Sequence, residues 1–178
     1  MKRFLFLSLF LLIAMIIGCS SSETDQASSD NPGRTGERAG SAEPTAATFA
    51  VYDIDGNVRR FEDFKGKHAL ILNFWGTWCP PCRRELPDLK RIYDEYKSQG
   101  LEIIGLAVND NPGNVKTFVE KMGLDWVMLI SNYEAMQSFR IGTGVPVSIF
   151  IDRNGKEVGR FTGARDYETF KKYVEQII

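Results

Sequence analysis

The tightest constraint in this chain is a junction. Ala69-Leu70-Ile71-Leu72-Asn73-Phe74-Trp75 is apolar on both alternating faces and runs within four residues into Cys79-Pro80-Pro81-Cys82. A strand that is apolar on both faces belongs in the middle of a covered sheet. The double proline marks the next element as the start of a helix, because the first-turn amides of a helix lack intrahelical acceptors and proline forfeits nothing there. Leu86, Leu89, Tyr93 and Tyr96 then recur on one helical face, and Gly100 offers a stop. Pro87 falls inside this helix, where it is expected to bend it.

The segments that follow alternate in the same way. Ile103–Val108, Val127–Ile130 and Val145–Ile151 read as buried strands, with helices around 115–122 and 133–139 between them. Phe49–Tyr52 and Val58–Phe61 flank Asp53-Ile54-Asp55-Gly56-Asn57 as a hairpin, and Asp152-Arg153-Asn154-Gly155-Lys156 turns the chain into Val158–Phe161. A last helix carries Phe170, Tyr173, Val174 and Ile177 on one stripe. The alternation predicts one α/β domain over residues 48–178 with a largely parallel central sheet.

The amino terminus is of another kind. Lys2 and Arg3 precede an uncharged apolar run from Phe4 to Ile17, the layout of a secretory signal. The run is shorter than the about 20 residues needed to cross a bilayer, and it ends at a cysteine among small residues. Ile16-Ile17-Gly18-Cys19-Ser20 resembles a bacterial lipobox, which makes residues 1–18 a signal peptide and Cys19 a lipidated first residue. From there to residue 47 the chain is mostly Ser, Ala, Gly, Thr, Pro, Asp and Glu, too polar to bury a core, and reads as a flexible tether. Setting aside residues 1–18 leaves 20 basic and 23 acidic groups, a balance that points away from nucleic acid. A monomer is expected.

Cysteines three positions apart at a strand-to-helix junction bring both sulfurs together across one turn. A sulfur at the helix amino terminus is acidified by unpaired amides and the macrodipole, so Cys79 is the expected nucleophile and Cys82 the resolving thiol. A purely structural disulfide closing so short a loop would stabilise little. A metal site would want about four ligands, and the folded domain offers two cysteines and His68. A thiol peroxidase of peroxiredoxin type would need threonine three residues before its cysteine, where this chain has Gly76. A non-catalytic tethered binding module is the remaining alternative.

Asn73-Phe74-Trp75-Gly76-Thr77-Trp78-Cys79-Pro80-Pro81-Cys82-Arg83-Arg84-Glu85-Leu86-Pro87 resembles the active-site segment of the TlpA/ResA-like thioredoxin family of membrane-tethered bacterial oxidoreductases. Gly144-Val145-Pro146-Val147 resembles that family's cis-proline loop, and residues 150–155 its following hairpin. The resemblance implies a thioredoxin-like fold: a central mixed β-sheet flanked by helices, with an amino-terminal β-hairpin and a central insertion at Asn111–Met122. It implies disulfide exchange with protein partners outside the cytoplasm, in the reducing direction, with a membrane redox donor and a role in cytochrome c maturation. No cofactor beyond the redox-active disulfide Cys79–Cys82 is implied. By the same resemblance Glu85 is a proton acceptor for Cys82, taking over from a strand aspartate that is Asn73 here. Trp78, Pro80, Pro81, Val145 and Pro146 are the expected substrate contacts. Trp75 is a second candidate for shielding the disulfide, with core packing as its alternative.

Overall fold

The computed structural model describes residues 47–178. The expected signal peptide, Cys19 and, apart from Ala47, the expected tether lie outside the described residues. Strands are β1 (Ala50–Asp53), β2 (Val58–Arg60), β3 (Ala69–Trp75), β4 (Leu101–Ala107), β5 (Val127–Ile130), β6 (Val147–Ile151) and β7 (Glu157–Thr162). Helices are α1 (Pro80–Tyr96), α2 (Pro112–Met122), α3 (Tyr133–Ser138) and α4 (Tyr167–Val174). Among the described residues no helix is long and apolar enough to cross a membrane.

One sheet holds all seven strands in the order β2-β1-β5-β4-β3-β6-β7. Only the β3–β4 and β4–β5 pairings are parallel; β1–β2, β1–β5, β3–β6 and β6–β7 are antiparallel. The sheet is therefore mixed rather than largely parallel. Alternation of element types carries no strand direction, and β6 returns antiparallel beside β3 after the short α3. Asn111 caps α2, which makes the crossover between the parallel neighbours β4 and β5.

The central strand is covered as its composition requires: every residue of β3 is buried. Its alternation divides the apolar interior into two clusters. Ile71 and Trp75 pack with the inner faces of α1, α2 and α4, while Leu70, Leu72 and Phe74 join Phe49, Phe61 and Phe139 on the other side. Leu86, Leu89, Tyr93 and Tyr96 are all buried against the sheet, and α1 continues through Pro87 as one helix. Gly100 takes the left-handed conformation (φ 90°) that ends the 3₁₀ turn after α1.

Several strand boundaries shift by one or two residues from expectation, such as β4 and β7 at both ends, and two shifts have local reasons. Phe61 opens a 3₁₀ turn instead of closing β2, and β6 begins at Val147 because Pro146 has no amide to enter the ladder. Trp75 is fully buried and stacks at a tilt on Phe118 of α2, 5.5 Å between ring centroids, so it is core and not contact surface. It fits because Gly105, its diagonal neighbour on β4, has no side chain. A Cβ there would lie 2.5 Å from Met128 Sδ and 3.2 Å from Trp75 Nε1. Gly105→Ala should lower stability by about 1–3 kcal/mol in a denaturant titration, since both neighbours are locked in the interior.

Candidate active site

The Cys79 and Cys82 sulfurs are joined in a disulfide, with Cα atoms 5.3 Å apart. Cys79 is the N-cap of α1 in extended conformation, and its sulfur accepts the backbone N–H of Cys82 at 3.2 Å. Pro80 and Pro81 occupy the two positions between them and have no amide hydrogens. The next amide, that of Arg83, is spent on the Cys79 carbonyl. Cys82 thus supplies the one first-turn N–H that reaches the sulfur. No acidic side chain lies in that turn to oppose a thiolate.

The two cysteines differ in exposure. Cys82 is completely enclosed, whereas Cys79 keeps 2% of its surface open beside the loop before β6. There the Val145–Pro146 peptide bond is cis. The Val145 carbonyl oxygen stands 3.6 Å from the Cys79 sulfur, and the sheet ladder resumes only at Val147. Trp78 is 54% exposed on the same rim. A groove of about 480 Å³ extends from it between Val108, Tyr133, Met136, Ile141 and Val145.

The rim is pinned from the loop that follows β4. The Trp78 indole N–H donates to the Val108 carbonyl at 3.0 Å, and the Thr77 amide donates to Asp110 Oδ2 at 2.6 Å. Asp110 Oδ1 also accepts the Asn111 amide at 2.9 Å. Asn109 takes a left-handed turn (φ 50°) that brings this carboxylate round to the loop, a conformation asparagine tolerates better than most residues. Removing the carboxylate strands the Thr77 amide. Asp110→Ala should therefore lower kcat/KM for a disulfide substrate roughly tenfold while lowering stability by only about 1–2 kcal/mol.

Behind the disulfide lies Glu85, 2% exposed and one helical turn beyond Cys82. Three residues along a helix places the two side chains on one face. Glu85 Oε1 accepts Asn73 Nδ2 at 2.9 Å, and Oε2 accepts the Arg165 amide at 3.2 Å. Desolvation outweighs both hydrogen bonds and the Arg165 charge, and raises the Glu85 pKa to about 7. Arg165 is held by its own guanidinium, which donates to the Thr162, Gly163 and Ala164 carbonyls.

The structure thus gathers Cys79, Cys82, Glu85, Trp78, Pro80, Pro81, Val145 and Pro146 at one end of β3, with Asn73 beneath. Three contributors were not anticipated from sequence: Asp110, the Arg165 amide and Ser148, whose hydroxyl accepts Asn73 Nδ2 at 3.0 Å. Ser148 could have been noticed, since it is the lone polar residue in the buried strand Val-Ser-Ile-Phe-Ile. The other two act through turn geometry and a backbone amide, which residue types do not advertise.

Comparison with known proteins places this geometry. The Redoxin family matches residues 38–177. Thiol-disulfide oxidoreductase ResA of Geobacillus thermodenitrificans is 37% identical over 134 residues, covering 75% of this chain and 76% of the relative. ResA of Halalkalibacterium halodurans is 34% identical over 133 residues, 74% of each. Among solved structures, a thiol:disulfide interchange protein of the thioredoxin family from Chlorobium tepidum superposes with a TM-score of 0.67 at 33% identity, covering 74% of this chain and 94% of that one. StoA from Bacillus subtilis gives 0.60 at 26% identity, covering 74% and 98%. The enclosed disulfide at a helix start, on this sheet and with these relatives, has one reading: the chain belongs to the Redoxin family, among its ResA-like thiol-disulfide oxidoreductases of thioredoxin-like fold.

Proposed function

We propose that the protein is a reductant of disulfides in partner proteins outside the cytoplasm, held at a membrane by a lipid on Cys19. The observation that carries the chemistry is the single N–H from Cys82 to the Cys79 sulfur, at the cysteine that keeps a trace of open surface while Cys82 keeps none. In the reduced protein the Cys79 thiolate attacks a partner disulfide. One partner sulfur joins Cys79, and the other leaves as a thiolate. Cys82 then gives its proton to the Glu85 carboxylate and attacks the Cys79 sulfur. The intramolecular disulfide forms, the second partner thiolate departs, and two electrons have passed from the dithiol to the partner.

Glu85 is suited to this proton because its affinity lies near neutrality and it is enclosed beside Cys82. The partner chain is seated in extended form on the free backbone of Val145, with a side chain next to its cysteine in the groove by Trp78. A membrane redox donor then returns two electrons to the disulfide. Apocytochrome c is the substrate implied by the resemblance to the TlpA/ResA-like family.

The test is to equilibrate the purified domain against glutathione or dithiothreitol buffers and read the Cys79–Cys82 potential. A value near the thioredoxin end of the range, about −270 mV, supports a reductant, and one near about −120 mV overturns that direction. Radiolabelled-lipid incorporation that is lost in Cys19→Ala tests the anchor.

A further inference from the structure

Asn73 and Ser148 are register partners across the antiparallel β3–β6 pair, so their side chains stand side by side on the same face of the sheet. That face looks onto α1, where Glu85 completes the group. Asn73, Glu85 and Ser148 are the buried polar side chains of the described residues. The Asn73 carboxamide has two hydrogens on one nitrogen, and both are spoken for: one goes to Glu85 Oε1 at 2.9 Å and one to Ser148 Oγ at 3.0 Å.

This fork has a direction. If the carboxamide turned over, its oxygen would face the Glu85 carboxylate, acceptor against acceptor, so the present orientation is the one that suits an ionised Glu85. Ser148 makes that orientation affordable by accepting the second hydrogen, which would otherwise be buried without a partner. Arg165, from the loop between β7 and α4, brings its amide and the one nearby positive charge, and α1 brings the Cys79–Cys82 disulfide.

We propose that Ser148 is a positioning residue for the proton step: by anchoring one Asn73 hydrogen it aims the other at Glu85 and favours the carboxylate that receives the Cys82 proton. Ser148 touches neither sulfur and does no chemistry itself. Its effect is on how readily Glu85 ionises, and through that on the pH at which the second thiol becomes a nucleophile. This inference rests on the proposed role of Glu85.

The test uses protein with carbon-13 in the glutamate carboxyls and follows the Glu85 resonance against pH in the oxidised form. Glu85→Gln identifies the signal by its disappearance. Ser148→Ala should move the Glu85 midpoint upward by about one pH unit, the size of a weakened hydrogen bond to a charged group. Ser148→Thr, which keeps the hydroxyl, should restore the original midpoint. Asn73→Ala, which removes the donor itself, should move it at least as far as Ser148→Ala, and serves if the latter does not fold. An unchanged midpoint in Ser148→Ala or Asn73→Ala overturns the proposal, and so does a Ser148→Thr midpoint that follows the alanine variant. The proton-acceptor reading is judged separately: it fails if Glu85→Gln retains the wild-type pH profile of disulfide exchange, whatever the resonance does in the Ser148 variants.

Discussion

Cys79→Ser should bring disulfide exchange down to the rate of the protein-free reaction, while Cys82→Ser should leave the protein joined to its partner. The asymmetry follows from enclosure and from one hydrogen bond. Cys82 has no open surface and cannot receive an external disulfide, so it cannot replace Cys79 as the attacking sulfur. Cys79 can still attack when Cys82 is serine, and the Cys82 backbone amide that steadies its thiolate survives the substitution. What is lost is the second displacement, which releases the partner. Insulin reduction followed by turbidity measures the first result, and a non-reducing gel shift reversed by dithiothreitol measures the second. Equal residual exchange in the two variants would contradict the assignment of roles.

Glu85→Gln should flatten the pH dependence of stability. The carboxyl binds its proton more tightly in the folded protein, about 7 against an ordinary value of 4.5. Between those values the folded state therefore carries more protons than the unfolded one, and stability falls as pH rises. The loss levels off above the folded value, at about 3 kcal/mol. Urea titrations of the oxidised protein at pH 5 and pH 8 should show wild type losing about 2.5 kcal/mol more than Glu85→Gln over that interval. Glutamine leaves one donor facing its amide, from Asn73 or Arg165, so the comparison lies in the slope with pH and not in the stability at one pH. A slope identical in the two proteins would place Glu85 in water.

How much of this could be read from residues alone differed by element. β3 and β5 begin and end where expected because runs of apolar β-formers bounded by turn residues leave few alternatives. The direction of β6 could not be read, since direction is decided by how the chain returns and not by what the strand contains. Trp75 and Trp78 show the same limit at the site: the same residue type three positions apart ends in the core at one and on the rim at the other. The last residue of the strand is covered by α2, and the loop after it is not. Glu85 was recognisable only through family resemblance, because a carboxylate in an early helical turn is normally a solvated partner of the helix dipole. It is burial under the β7–α4 loop, a tertiary event, that changes its chemistry. Asn73 was visible as the one polar residue in an apolar strand, but the partners that explain it lie 12 and 75 residues away.

The pair of imino acids at the head of α1 carries an energetic implication for direction of electron flow. A helix start without proline could offer a sulfur anion three N–H groups; this one offers a single group. Each withheld donor leaves the reduced state less comfortable relative to the disulfide, and about 1.4 kcal/mol of such preference moves the couple by about 30 mV. Substituting an ordinary residue for Pro81 would restore a donor and draw the couple toward the oxidant end, so the two rings favour the disulfide over the dithiol by omission rather than by contact.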